Sequence, residues 1–223
     1  MKRRFPVVIL AATTMLACTN ASADTSIGLS AGTLGGGVEL AHAFSERLGI
    51  RIGANGLNHD STETYQSVNY DSQLKLATGE LLFDWFPFAN NFRISAGAMY
   101  NGNKLTLTGK PSPGGTYTIN GRTYSAANIG TLDGSVDFSN AAPYFGLGYG
   151  RPIGKGFSLT ADLGVLFQGS PRSTLTASCG PGTPAATCTQ LQSDVAAEQA
   201  QLDDDLHKYQ YYPVVSIGLA YTF

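Results

Sequence analysis

Some side chains in this 223-residue sequence are of kinds that do chemistry. His59 and Ser61 put an imidazole and a hydroxyl two residues apart, with Glu63 and Glu80 as acids able to orient the imidazole. Those are the ingredients of a nucleophilic esterase. They lie in HDSTETYQSVNYDSQ, residues 59–73, a polar run in which such a trio arises by composition alone, so an enzyme is not expected. Cys179 and Cys188 can join as a disulfide, or bind zinc with His207. Zinc wants about four ligands and the chain offers too few nearby, so the disulfide is the expectation. Asp203-Asp204-Asp205 can hold a divalent cation, but aspartate runs are ordinarily solvated. No metal site and no cofactor is expected.

A different set of charged residues is more informative because each alternates with apolar neighbours. Glu39, Arg51, Glu80, Asp84, Arg93 and Asp162 all stand in segments of period-2 patterning. Apolar side chains there share one face, and the charges occupy the other. The segment ending the chain, VVSIGLAYTF, shows the pattern most plainly. Val215, Ile217, Leu219, Tyr221 and Phe223 alternate with Ser216, Gly218, Ala220 and Thr222.

The N-terminus decides which solvent meets the apolar face. Lys2, Arg3 and Arg4 precede an apolar stretch from Phe5 to Ala17, and Ala21-Ser22-Ala23 supplies a small-x-small cleavage site before Asp24. This reads as a secretory signal over 1–23, ahead of one domain over 24–223. A lipoprotein box at Leu16-Ala17-Cys18 is the weaker reading, since Met15 stands where leucine is usual. After residue 23 no apolar run has the length of a membrane helix, about 20 residues. Charged residues are 13% of the chain and the net charge is −2, so there is no basic footprint for nucleic acid. Two cysteines in an exported chain again favour a disulfide.

Eight alternating segments emerge, beginning near residues 27, 38, 48, 77, 92, 143, 157 and 215. Links at 45–47, 87–91 and 152–155 are short; those at 59–73, 109–140 and 169–208 are long. An even strand number, short turns on one side and long loops on the other describe an eight-stranded antiparallel transmembrane β-barrel. Sheets span lipid only when closed, because every backbone polar group must be paired internally. Phe44, Trp85, Phe86, Phe92, Phe157, Tyr221 and Phe223 gather near the short turns, and Tyr100, Phe167, Tyr209 and Tyr211 near the long loops, as two aromatic girdles.

The run Val215, Ile217, Leu219, Tyr221, Phe223 resembles the terminal-strand signature of bacterial outer-membrane proteins. The whole barrel is similar in architecture to the small eight-stranded family of the OmpA transmembrane-domain and OmpW-like kind. That resemblance implies residence in the outer membrane with both termini periplasmic, recognition of the last strand by the barrel-assembly machinery, contact with outer-membrane lipid and lipopolysaccharide, and a monomer. It implies either a structural and surface-interaction role or, as in OmpW-like barrels, a narrow path for small solutes. Some eight-stranded barrels modify lipid A, and the deacylases among them use a histidine and a serine two apart, as in His59–Ser61.

An eight-stranded barrel is wide enough only for side chains to fill or for one small ligand. The inward charges are therefore expected to pair, since buried charges without partners are costly. Folding the hairpin about 87–91 predicts Asp84 opposite Arg93, with Arg51 near Ala41 and diagonal to Glu39. A plug is expected; if a path exists, four acids against two arginines predict a preference for cations. Inward glycines at 28, 32, 53, 97, 146, 148, 164 and 218 either make room for large neighbours or ease strand curvature. In the loops, Asn120-Gly121 predicts a hairpin. Leu191, Val195, Leu202 and Leu206 predict one helix stripe, either a lid over the mouth or a solvated spacer.

Overall fold

The computed structural model describes residues 24–65, 68–111 and 114–223. Residues 1–23, on which the expected secretory signal with Ala21, Ala23 and Cys18 falls, lie outside the described residues. In chain order the elements are β1 (Thr25–Gly32), β2 (Gly35–Ala43), β3 (Leu48–Tyr65), β4 (Val68–Trp85), β5 (Phe92–Asn101), β6 (Lys104–Pro111), β7 (Thr116–Ile119) and β8 (Arg122–Ser125). There follow β9 (Ile129–Asp137), β10 (Ala141–Tyr149), β11 (Gly156–Phe167), β12 (Arg172–Cys179), α1 (Ala185–Leu206) and β13 (Tyr211–Thr222).

Eight of these close a ring, in the order β1, β2, β3, β4, β5, β10, β11, β13 and back to β1. Closure is made by β1 on β13, where Ser26 pairs with Thr222 and Gly32 with Ser216. The ring has no open edge within the span, as lipid requires. Alternation sets the two faces. Leu29, Ile52, Phe83, Leu159 and Ile217 point outward, and Leu159 is 72% exposed. Their neighbours Arg51, Leu82 and Asp84 are buried. An apolar exterior of this extent is what hydrocarbon, rather than water, surrounds. Both rims carry aromatic contacts: Phe157, Tyr221 and Phe223 stack edge to face at one, Phe167 and Tyr211 at the other. Phe86 departs from the expected girdle, being 1% exposed and turned into the bore.

The long connections are not loops. The predicted loop 59–73 is mostly strand, because β3 and β4 stay in unbroken register from Leu48–Trp85 up to Tyr65–Val68. Where β5 leaves β4 after Asn101, β6 takes its place, and β9 and β12 follow, so a five-stranded sheet in the order β12-β9-β6-β4-β3 rises above the ring. The β7–β8 hairpin turns at Asn120-Gly121, both with positive φ (48° and 71°), as that dipeptide predicts.

Candidate functional site: the filled bore and the layer above it

Arg51, on β3, is the hub of the bore. Its Nε donates to Asp84 Oδ2 at 2.7 Å, Nη1 to Glu39 Oε2 at 3.4 Å, and Nη2 to Asp162 Oδ1 at 3.1 Å and Ser95 Oγ at 3.2 Å. Arg93 donates from Nη2 to both oxygens of Asp162, at 2.9 and 2.8 Å, and from Nη1 to the Gly150 carbonyl. The structure thus brings Glu39, Arg51, Asp84, Arg93 and Asp162 together, with Arg51 opposite Ala41. Glu80 stands apart and accepts from Asn55 Nδ2 at 3.5 Å.

The expected Asp84–Arg93 register is corrected. Asp84 faces Ser95 and Trp85 faces Ile94, two residues further along β5. Phe86 bonds back to the residue before β3, its N–H donating to the Arg47 carbonyl, and β5 first pairs with β4 only at Ile94, so the link between the paired strands runs from Phe86 to Arg93. A shift of two leaves every side chain on its own face, so Arg93 remains inside. It approaches Asp84 only to 3.9 Å and takes Asp162 as its main partner. Ser95, which donates to Asp84 Oδ1 at 2.5 Å, was missed; its alternation with Arg93 was the available signal.

Two further layers fill the bore. On the long-strand side of the charges, Leu34, Leu82, Met99, Tyr144, Leu166 and Val214 form a buried apolar cluster. On the short-turn side, Arg151 lies over the Phe86 ring at 5.9 Å and donates to the Ala89 carbonyl. The glycines make this packing possible. A Cβ on Gly146 or Gly164 would overlap the Tyr144 hydroxyl, and one on Gly28 would come within 2.9 Å of Glu39 Cγ. Voids of about 20 and 10 Å³ lie in the bore, and both are lined by Glu39 and Arg51.

Above the ring, the lumen-side face of the extension carries Tyr70, Leu105, Leu107, Leu132, Val136 and Leu175. Helix α1 and the β7–β8 hairpin cover part of that face, so Leu191 and Val195 join Tyr117, Ile119, Tyr124 and Ile129 in a second core. The helix is therefore packed secondary structure rather than a solvated spacer. The Cys179–Cys188 disulfide ties its first turn to the end of β12. Its polar side is equally engaged. Asp194 accepts from Tyr124 Oη at 2.5 Å and pairs with Arg122, and the Tyr124 bond holds its carboxyl below the usual range. Asp203 accepts from the Ser173 hydroxyl and N–H at 2.7 and 2.8 Å, which lowers its carboxyl too, and Gln199 accepts from the Leu175 N–H at 3.0 Å. These bonds satisfy donors along the outer edge of β12. Asp205 pairs with Lys208 at 3.1 Å, so of the acidic triplet two members have protein partners. No group of three or more His, Cys, Asp or Glu side chains able to hold a metal occurs among the described residues.

His59 and Ser61 sit on β3, two apart on the lumen-side face, and no hydrogen bond joins them; Ser61 instead accepts at its carbonyl from Ser72. Glu80 faces Gly53, six residues down the strand, out of reach of His59. Val215, Ile217, Leu219, Tyr221 and Phe223 all face outward from β13 and its end.

A closed ring with an apolar exterior and a filled bore is the fold of a transmembrane β-barrel. No family model matches the sequence, and no curated protein does. Among solved structures, the chain is similar to CarO of Acinetobacter baumannii, at 22% identity over 89% of this chain and 97% of that one, with a TM-score of 0.59. It is likewise similar to CarO2 of the same organism, at 19% identity over 90% and 98%, with a TM-score of 0.60. Likeness at these identities is likeness of fold.

Proposed function

We propose that this is a non-conducting outer-membrane barrel whose work is done at the cell surface by the sheet-and-helix layer above the ring. The observation that carries this reading is the three-layered filling of the bore: apolar cluster, arginine–carboxylate network, and Phe86 under Arg151. A water molecule needs roughly 10–15 Å³, so voids of about 20 and 10 Å³ hold single waters and no hydrated solute. In this reading the short turns are periplasmic, β13 is the strand that the barrel-assembly machinery handles, lipopolysaccharide surrounds the upper rim, and the protein works as a monomer. The test is single-channel recording in planar bilayers on protein shown to be folded by heat-modifiable gel migration. Silence with and without reductant supports the plug; discrete openings overturn it.

A second reading, a narrow cation-preferring channel, draws on one observation. Both voids touch Glu39 and Arg51, so displacement of that arginine would join them, and four acids against two arginines set the sign of the path. Cation-selective openings in the same recordings would favour it.

A further inference from the structure

The outward face of the extension has a charge pattern at its base that the fold neutralises only in part, Lys104 through Asp137 and Arg172 through the field of Asp203. Asn58, Lys75, Lys104, Asp137 and Arg172 are successive cross-strand partners, on β3, β4, β6, β9 and β12. Lys75 and Lys104 stand directly opposite each other, an arrangement that costs stability unless an anion bridges it. Asp137 answers only Lys104, at 3.1 Å; among the described residues neither Lys75 nor Arg172 forms an ion pair. One row thus carries three cations and one anion, all solvent-facing, on a wall whose opposite face is covered in part by α1.

The height of the row names the partner. Tyr100 of the upper girdle is opposite Gly79, and Lys75 is four residues further up β4. Four residues is roughly 13 Å of strand, or about 10 Å of height at the usual tilt. Arg172 is five residues beyond Phe167, another aromatic of that girdle. Aromatic belts mark the headgroup level, and lysine and arginine stems bend toward that interface while keeping their charge in water. We infer that Lys75, Lys104 and Arg172 form a docking row for the phosphates of the phosphorylated glycolipid in the surrounding outer leaflet. This rests on the reading of the β3–β4 tips as extracellular, which is checked separately by labelling a Thr62→Cys variant on intact cells with an impermeant maleimide.

The test uses the full chain, refolded and verified by heat-modifiable migration, titrated with diphosphorylated lipid A and with the same lipid stripped of phosphate, and read by native mass spectrometry. Charge-assisted contacts are about twice as strong as neutral ones, so wild type is expected to prefer the phosphorylated lipid by about tenfold. K75Q/R172Q is expected to lose that preference, and K155Q/R47Q, which removes the same charge from the short-turn rim, to keep it. Unchanged preference in K75Q/R172Q overturns the inference, as does equal loss in the control pair. Displacement of the lipid by an equal concentration of inorganic phosphate also overturns it, since the row would then be a general anion site.

Discussion

Arg93 grips both oxygens of Asp162 by reaching across β10 at Gly148, where that strand carries no side chain to stop it. A methyl group there would lie 2.6 Å from Arg93 Nε and 2.8 Å from Asp162 Oδ1. Gly148→Ala is therefore expected to push the pair apart and to lower stability by about 1–3 kcal/mol, the usual range for overpacking. Gly36→Ala, where a Cβ meets nothing within 4 Å, is expected to stay within about 0.5 kcal/mol of wild type. Urea unfolding from lipid vesicles, followed by fluorescence of the single tryptophan, Trp85, compares the two.

The apolar layer is the second barrier to flow. Met99→Ala with Tyr144→Ala removes two large side chains of that layer and leaves the arginine network in place. Each truncation of this kind costs about 2–5 kcal/mol, so folding must be verified first. The expected outcome is a double variant still electrically silent, because Arg51 and its carboxylates block the bore below. Adding Arg51→Ala should then produce cation-selective openings. Conductance in the Met99/Tyr144 variant alone would show that the charged layer is no barrier.

Acid should loosen the surface layer before the barrel. The carboxyls of Asp194 and Asp203 are both depressed by the donors they accept from, so they bind protons less readily folded than unfolded. Their contribution is present above the unfolded carboxylate value of about 3.9 and is lost as pH falls through the lower folded values. Between neutral and mildly acidic pH nothing should change. Below about pH 4, pepsin should begin to cut within 185–206 while gel migration still reports a folded barrel. Asp203→Ala should shift that onset and speed amide exchange at Ser173, whose N–H loses its acceptor.

Reduction should act on the same segment by another route. Cys179 and Cys188 close a short loop, and bridges of this kind are worth about 2–4 kcal/mol. Dithiothreitol is expected to raise protease sensitivity in α1 at neutral pH, leaving the ring of eight strands intact. Unchanged digestion would mean that Leu191 and Val195 hold the helix without the bridge.

The membrane-spanning part was legible because lipid imposes a single rule on it. Once Leu159, Leu163 and Ile217 must face hydrocarbon, the parity of every inward residue follows, and Arg51, Asp84, Arg93 and Asp162 arrive inside together. What parity does not carry is register along the strand, and the two-residue slip at Asp84 and Arg93 is the result: the turn at Phe86 could not be located from spacing. The upper strands were illegible for a related reason. Residues 59–73 carry few apolar side chains on either face, so alternation vanishes, although threonine, tyrosine and valine there suit a pleated surface. The edge-satisfying role of Gln199 and Asp203 had no signal either, since it depends on α1 lying against β12.

The closing pair Ser26–Thr222 joins positions far apart in the chain, whereas β3 and β4 pair residues as close in sequence as Tyr65 and Val68. Hairpins of the second kind can form as soon as they are made, but loop-closure entropy must be met in full before the first kind returns anything. Assembly is then an ordered process in time. The middle strands are expected to pair early and β13, which pairs with both β1 and β11, to close the ring last. The last element to arrive sets the tempo of the whole.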